Sequence, residues 1–277
     1  MTSRTTPRIT CVVVFLNAGR FLNETIASVL AQTLDDWELL LVDDGYADNW
    51  RTAKPLLERS GLPATVFVTA GFVGTPTEFW TGALTRVLLG QRHLPAKLRL
   101  EIQGRAHEWD VAGDAGLPDR SWRLWDSVAT SPRRTLLQAL DRTLRPLPTR
   151  DRDDALAQFL VWAGDDAQNR GPTWLSEAEL RDLADGALID IGAHSMSHAL
   201  LASQSEAAQR WEIASSRMRL EEMIHRRVRA FAYPYGQRSS YTEATVRLVG
   251  ESGFDGACAG WPGPVRDRKS TRLNSSH

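Results

Sequence analysis

The sequence contains very little cysteine: two residues, Cys11 and Cys258, among 277. They lie far apart in apolar or small-residue surroundings, and their spacing forms no ligand pair of the kind that a zinc finger needs. This scarcity also excludes a disulfide scaffold and fits a reducing compartment. At this length an α/β domain buries enough apolar surface to fold without disulfides or a structural metal.

A dominant charge is absent too, because 33 basic side chains oppose 34 acidic ones and leave a net charge of −1. Without a basic field, no nucleic acid or anionic lipid partner is expected. Long apolar runs are also missing, since residues 11–16 fall far short of the roughly 20 residues that a membrane span needs. Residues 1–8 do not lead into a secretory signal. We therefore expect a cytoplasmic protein with no membrane span; its oligomeric state stays open.

The chain begins with a predicted β-α-β unit. Residues 9–15 form a β-branched run typical of a buried parallel strand, residues 21–32 carry apolar side chains at helical spacing, and residues 37–42 form a second strand. Over residues 1–45 this unit resembles the start of the family 2 glycosyltransferases. That resemblance implies a nucleotide-sugar fold in which a carboxylate after the second strand contacts the nucleotide. No Asp-x-Asp motif follows at the distance that such a transferase needs.

Strand-like and helix-like segments alternate along the rest of the chain. This alternation predicts a mainly parallel sheet or barrel with helices outside. Residues 75–172 are less regular and are interpreted as an insert. The predicted strands are 64–69, 97–102, 188–192 and 229–233, and the predicted helices are 52–60, 76–89, 134–144, 153–162, 177–184, 206–226 and 242–252.

Two adjacent carboxylates, Asp43 and Asp44, follow the second strand, and two histidines, His194 and His198, follow a later one. Adjacent carboxylates repel each other unless one is neutralised, and a divalent cation does this most simply. A spacing of four predicts that both imidazoles lie on one face of a helix, where they can share a metal. One aspartate with two histidines makes a metal site with open positions for water and substrate.

A third segment, Tyr233-Pro234-Tyr235-Gly236, ends a predicted strand in a turn that can direct a backbone N–H toward a ligand. Trp80 and Trp174 lie in loops that enter and leave the insert. Of the ten tryptophans, these two are the better candidates for lining a sugar-binding cleft.

Taken in order, the stretches DDGYADN, GLPATVFV, IGAHSMSH and FAYPYG resemble the polysaccharide deacetylases, the NodB homology superfamily of carbohydrate esterase family 4. The likeness runs from about residue 37 to 263 and matches the insert only loosely. It implies a distorted (β/α) barrel, here incomplete, that acts on N- or O-acetylated sugars. The predicted layout is therefore a glycosyltransferase-like fragment over residues 1–45 and a deacetylase-like domain over residues 37–266, with an insert at 75–172.

The same resemblance implies a role for each matching residue. Asp43 corresponds to the general base. Asp44, His194 and His198 correspond to the ligands of a divalent metal ion, for which zinc is the expected metal. The backbone N–H of Tyr235 corresponds to the group that holds the oxyanion. Pro234, Tyr235 and Gly236 form the turn expected to contact the carbohydrate substrate.

Several positions depart from the family pattern. Leu41 and Val42 replace the Thr-Phe that many relatives have before the carboxylate pair, and Ala232 replaces an arginine that orients the base. Arg229 would substitute for it only if the strand geometry allowed. The two resemblances meet at Asp43-Asp44-Gly45, which indicates a natural fusion or a join made in sequence assembly.

The far end is also unusual, because residues 267–277 (DRKSTRLNSSH) look like a translated sequencing adapter and are interpreted as a non-native tail. Later deacetylase motifs, including the general-acid histidine, are then missing, and impaired activity, poor solubility or oligomerisation is expected. Two alternatives stay open: a family 2 glycosyltransferase that uses a nucleotide sugar, and an inactive, truncated sugar-binding remnant.

Overall fold

A computed structural model describes residues 9–14, 24, 27–28, 31, 37–42, 44–111, 131–165 and 173–260. Within these residues the strands are β1 (Ile9–Val14), β2 (Trp37–Val42), β3 (Ala64–Val68), β4 (Lys97–Ile102), β5 (Arg105–Asp110), β6 (Ile189–Ala193), β7 (Ala230–Ala232) and β8 (Gly256–Cys258). The helices are α1 (Lys54–Ser60), α2 (Trp80–Gly90), α3 (Pro132–Leu144), α4 (Thr149–Trp162), α5 (Glu177–Ala184), α6 (Glu206–Ile224) and α7 (Glu243–Glu251). A π-helical turn, Asn49–Ala53, leads into α1. None of the described helices is long and apolar enough to cross a membrane.

The chain divides into two compact units, and the first combines Met1–Pro76 with Pro172–His277. Its sheet has the strand order β1-β2-β3-β6-β7-β8, and every neighbouring pair is parallel. Among the described residues this sheet does not close on itself. The parallel sheet with helices between its strands confirms the predicted α/β fold. The helix predicted at residues 21–32 lies largely outside the described residues.

Parallel pairing gathers the carboxyl ends of the strands at one edge of the sheet. Val42 of β2 pairs with Phe67 of β3, and Val68 pairs with Ala193 of β6. Ala193 pairs in turn with Phe231 of β7. The loops that follow β2, β3, β6 and β7 therefore leave the sheet side by side, where open α/β sheets bind their ligands.

Strand β3 lies in the middle of the core, because Val66, Phe67 and Val68 are almost fully buried. A continuous apolar run of this kind is typical of a parallel strand covered on both faces. Burying such a side chain stabilises the fold by about 1.5–3 kcal/mol. Other buried core residues from the elements around β3 include Leu57, Leu180, Leu183, Ile191, Ile213, Leu220, Phe231, Val246 and Leu248.

Local signals fix several helix ends near their predicted positions. Gly61 adopts the left-handed conformation that stops α1. Ser176 and Glu179 form the predicted capping box at the start of α5. Helix α6 starts at Glu206 as predicted, and His225 caps its end in a left-handed conformation.

The second unit, Thr77–Gly171, contains α2, α3, α4 and the antiparallel hairpin β4–β5. The predicted strand 97–102 is confirmed, whereas its partner β5 was not predicted. Gln103 and Gly104 join the two strands, and both have positive φ values, as a tight two-residue turn requires. The sequence signal is weak because Gln replaces the usual Asn or Asp, and because β5 (RAHEWD) contains charged residues.

Partly buried ion pairs also hold this second unit together. The guanidinium of Arg86 forms ion pairs with Glu78 and Asp165 at 2.9 and 2.6 Å. Trp80 is only 2% exposed, and the guanidinium of Arg152 lies over its ring at 5.6 Å. The proposal that Trp80 lines a sugar cleft is therefore wrong, since the ring packs inside the unit.

Candidate metal centre

Three loops at one edge of the parallel sheet carry the candidate site. Asp44 comes two residues after β2, His194 directly follows β6 and His198 lies four residues later. The turn that contains Tyr235 follows β7. The parallel register of β2, β3, β6 and β7 explains why residues 150 positions apart in the sequence meet here.

One carboxylate oxygen contacts both imidazoles. Asp44 Oδ1 lies 3.1 Å from His194 Nε2 and 3.3 Å from His198 Nε2. One donor atom from each of the three residues lies within 4.8 Å of the other two. Both imidazoles are buried, while the Asp44 side chain remains 23% exposed. The site is therefore open to solvent on its carboxylate side and closed on its histidine side.

Asp44 is ionised at neutral pH in this setting. Burial opposes ionisation, but the charge and hydrogen bond of His198 and those of His194 outweigh it and hold the pKa of the Asp44 carboxyl well below its usual range. An anionic oxygen between two imidazole nitrogens is the donor set that a divalent cation binds.

The second contact of His194 sets the orientation of its ring. Its Nδ1 lies 2.8 Å from the carbonyl oxygen of Ala232. A carbonyl can only accept, so Nδ1 carries the hydrogen, and Nε2 is the nitrogen that faces Asp44. Histidines that bind metals are commonly oriented by such a hydrogen bond. Ala232 thus contributes to the site through its backbone carbonyl.

The spacing of Asp44 Oδ1 from the two histidine nitrogens suits a tetrahedral divalent cation. Ligand atoms at about 2.0–2.1 Å from a tetrahedral zinc lie roughly 3.3 Å from one another. The distances from Asp44 Oδ1 to the two histidine nitrogens agree with that spacing. The residue types fit as well, since two imidazoles and one carboxylate are a set that zinc accepts.

The two histidines lie in a loop rather than on a helix, which corrects the predicted helical face. Ser195 and His198 have φ values of 63° and 54°, which a right-handed helix does not allow. The loop turns back on itself instead, with the N–H of His198 donating to Ser195 Oγ at 2.9 Å. This turn, and not helical periodicity, brings the two imidazoles to the same side.

Unusual backbone conformations concentrate at this site. Positive φ values occur at Asp44, Ser195, His198 and Tyr235, all of which lie in the three loops. Each such conformation at a residue other than glycine costs about 1–3 kcal/mol and persists only where the surroundings enforce it. Strain of this kind is common where side chains are pre-positioned for binding or catalysis.

The loop after β3 ties its two neighbours together. The Thr69 N–H donates to the Asp44 carbonyl at 2.9 Å, and the Ala70 N–H donates to the Ser195 carbonyl at 3.0 Å. The Gly71 N–H donates to the Met196 carbonyl at 2.9 Å. The backbones of the carboxylate loop and the histidine loop are thus fixed by the same short segment.

The third predicted segment also lies at the site. The Tyr235 ring packs edge-on against His198, with ring centroids 4.7 Å apart. Its turn is closed by the Gly236 N–H, which donates to the Tyr233 carbonyl at 3.0 Å. Gly236 has a positive φ, and a Cβ on it would lie 2.6 Å from the Gly260 nitrogen, so glycine is required there. Pro234 lies in the same turn, whereas the predicted base, Asp43, lies outside the described residues.

Neither Trp174, the predicted cleft residue, nor Arg229, whose reach the sequence left open, contributes to the site. Trp174 is only 5% exposed and lies between Tyr46 and Phe72, with centroids at 4.2 and 4.5 Å. Because both faces of its ring are covered, Trp174 cannot stack on a sugar. Arg229 points away from the site: it is 72% exposed, and its Nε lies 3.9 Å from Asp255.

One residue near the site was not found from the sequence. Glu212 on α6 is buried and accepts hydrogen bonds from the loop that carries the histidines. In the sequence it is one of several glutamates on a long polar helix, and no local pattern distinguishes it. Only the packing of α6 behind the loop reveals it.

Comparison with known proteins assigns different families to different parts of the chain. The polysaccharide deacetylase profile matches residues 143–255, which include both histidines and the turn at Tyr235. The profile of glycosyl transferase family 2 matches residues 10–61. The chain resembles a polysaccharide deacetylase behind a glycosyltransferase-like beginning. Both predicted resemblances are confirmed. The glycosyltransferase match extends to residue 61, beyond the predicted end at residue 45, and it includes Asp44.

Solved deacetylase structures are also similar to this chain. The Streptococcus pyogenes deacetylase PplD in complex with acetate is 12% identical at a TM-score of 0.40, covering 87% of this chain and 63% of its own. The BpsB deacetylase domain from Bordetella bronchiseptica is 16% identical with a TM-score of 0.44, and the match covers 96% of this chain and 76% of that domain. A de-N-acetylase from Aggregatibacter actinomycetemcomitans is 11% identical with a TM-score of 0.47, and the match covers 94% of this chain and 92% of that enzyme. This chain thus spans 63% of the streptococcal protein. No curated protein sequence gave a significant match.

Proposed function

We propose that this protein is a metal-dependent hydrolase that removes acetyl groups from a polysaccharide or another acetylated carbohydrate. Asp44, His194 and His198 would hold the divalent cation, with zinc the expected metal. One observation carries the proposal: a single carboxylate oxygen lies 3.1 and 3.3 Å from the Nε2 atoms of two buried histidines. The deacetylase match over residues 143–255 supports the reaction class.

Each remaining group has a proposed role. A cation bound here would polarise the acetyl carbonyl and lower the pKa of bound water toward about 7. Asp43 would accept the proton from the attacking water. The backbone N–H of Tyr235 would donate to the oxygen that becomes negative, a contribution of about 2.7–4 kcal/mol at comparable sites. Pro234, Tyr235 and Gly236 would form the wall against which the sugar binds.

The test combines zinc binding with acetate release. The protein is stripped with a chelator, titrated with zinc by calorimetry and assayed on acetylated chito-oligosaccharides and peptidoglycan. Asp44→Ala and His198→Ala should each lose zinc retention and acetate release, because each removes one of three protein ligands. Arg229→Ala is the control and should behave as the wild type, since Arg229 is exposed and faces Asp255. Stoichiometric zinc binding by the Asp44/His198 double variant would rule out the proposed site.

A second candidate function, nucleotide-sugar transfer, is favoured by the glycosyltransferase match over residues 10–61. In that case Asp43 or Asp44 would contact the nucleotide. The close approach of Asp44 to two histidines counts against it, because those contacts occupy the carboxylate. Calorimetry with UDP-sugars separates the two functions: binding that survives His194→Ala would favour the transferase.

A further inference from the structure

Glu212 lies behind the histidine loop and holds its backbone. The residue is on α6 and is only 3% exposed. Its Oε2 accepts the backbone N–H groups of Met196 and Ser197, each at 2.9 Å, and its Oε1 accepts the Ser197 hydroxyl at 2.5 Å. One buried carboxylate thus accepts three hydrogen bonds from the segment between His194 and His198.

No arginine or lysine forms an ion pair with Glu212 among the residues that the structure describes. A buried carboxylate is costly unless it is well hydrogen-bonded, and here the loop provides the compensating donors. The hydrogen bonds therefore couple helix α6 to the histidine loop. The buried Glu212 carboxylate is stabilised only when the backbone N–H groups of Met196 and Ser197 point toward it.

The histidine loop requires such an anchor. Ser195 and His198 both adopt left-handed conformations, which persist only when the surrounding structure enforces them. Glu212 binds the two residues between these positions. Fixing the Met196 and Ser197 amides determines the direction of the chain at His198 and hence where its imidazole points.

We propose that Glu212 is a positioning residue of the metal centre: its carboxylate sets the 195–198 backbone so that the imidazoles of His194 and His198 converge on Asp44. The inference rests on the proposed metal site. Glu212 itself contacts neither imidazole through the hydrogen bonds described above, so it acts through the loop.

The test compares Glu212→Ala and Glu212→Gln with Glu221→Gln, a matched control on the same helix. Glu221 also accepts a backbone N–H, from Val228 at 2.9 Å, but it holds a different loop. Amide hydrogen exchange is measured on the metal-free proteins, and the zinc Kd is measured by calorimetry on the same samples at a temperature where all are folded.

In Glu212→Ala we expect faster exchange of the Met196 and Ser197 amides and a zinc Kd raised about 10–100-fold, as for other residues that orient metal ligands. Glu212→Gln should fall between it and the wild type, because the neutral amide oxygen can still accept the two backbone N–H groups, although less strongly than the charged carboxylate does. Should the alanine variant not fold, the glutamine variant provides both measurements. Glu221→Gln should keep the wild-type Kd even if it melts at a lower temperature.

Two outcomes separate this inference from the proposed function. Folded Glu212 variants with wild-type exchange and wild-type zinc Kd would overturn the positioning role. If the wild-type chain bound no zinc while the Glu212 variants still lost amide protection, the hydrolase proposal would fail and the carboxylate would still be shown to set the loop.

Discussion

The two loops that carry the candidate metal donors are fixed in different ways. The Asp44 loop is held by backbone pairing: the Thr69 N–H donates to Asp44, and the Leu175 N–H donates to Gly45. The histidine loop has backbone bonds to the same neighbouring segment and adds two specific side chains, Ser195 within the loop and Glu212 behind it.

This difference implies different sensitivities. A loop held by main-chain bonds depends on close approach of backbones, and therefore on small residues where they meet. A loop held by a buried carboxylate and a hydroxyl depends on those side chains, because removing one leaves buried N–H groups without an acceptor. The carboxylate is also more exposed than the imidazoles, so the site is open to solvent on the Asp44 side.

The largest expected effect is stabilisation by zinc, to which both loops would contribute ligands. Zinc that binds only the folded protein, supplied at a hundred times its Kd, should stabilise it by about 2.7 kcal/mol. Asp44→Asn should abolish most of this gain, since it keeps the shape of the side chain but removes the negative charge between the imidazoles. Thermal melts with and without chelator measure the stabilisation by zinc in both proteins. An equal stabilisation in the variant would mean that the histidines bind the metal without Asp44.

The sequence was sufficient for much of this site. The parallel α/β fold followed from apolar runs alternating with helical periodicity, and the strand ends placed Asp44, His194, His198 and Tyr235 at one edge. The conformation of the histidine loop was not predicted, because a spacing of four has the same appearance in a helix and in a tight turn. Only the left-handed backbone at Ser195 and His198 distinguishes them.

Long-range packing was the other part that the sequence did not reveal. Glu212 is separated from the residues it holds by 15 positions and a change of element, and its neighbours on α6 include other acidic residues. Likewise, Trp174 lies in a loop, as predicted, yet two rings cover its faces. Residue type indicates what a side chain can do, whereas burial decides which of these contacts it makes.

A glycine substitution tests the backbone-held loop. Gly45 has a φ of +95°, and a Cβ on it would lie 2.8 Å from Val68 Cγ1. Gly45→Ala should therefore destabilise the fold by about 1–3 kcal/mol and weaken zinc binding, because the adjacent Asp44 would be displaced. Denaturant unfolding and zinc calorimetry measure the two effects.

Gly74→Ala is the matched control. Gly74 also has a positive φ, +72°, but its Cβ would meet nothing within 4 Å. Its cost should be limited to backbone strain, and its zinc Kd should not change. Equal effects of the two substitutions on zinc binding would show that contact with Val68 does not determine the position of Asp44.

The smallest expected effect tests the side-chain-held loop. Ser195→Ala removes the hydroxyl that accepts the His198 N–H at 2.9 Å. Leaving that buried N–H without its acceptor should cost about 1–3 kcal/mol in unfolding free energy, near the lower end because the loop keeps its bonds to Glu212 and Ala70. Denaturant unfolding measures the stability, and zinc calorimetry should show a weaker Kd than for the wild type. An unchanged Kd together with lower stability would mean that Glu212 alone is sufficient to orient His198, and the hydroxyl would then contribute to folding but not to the donor geometry.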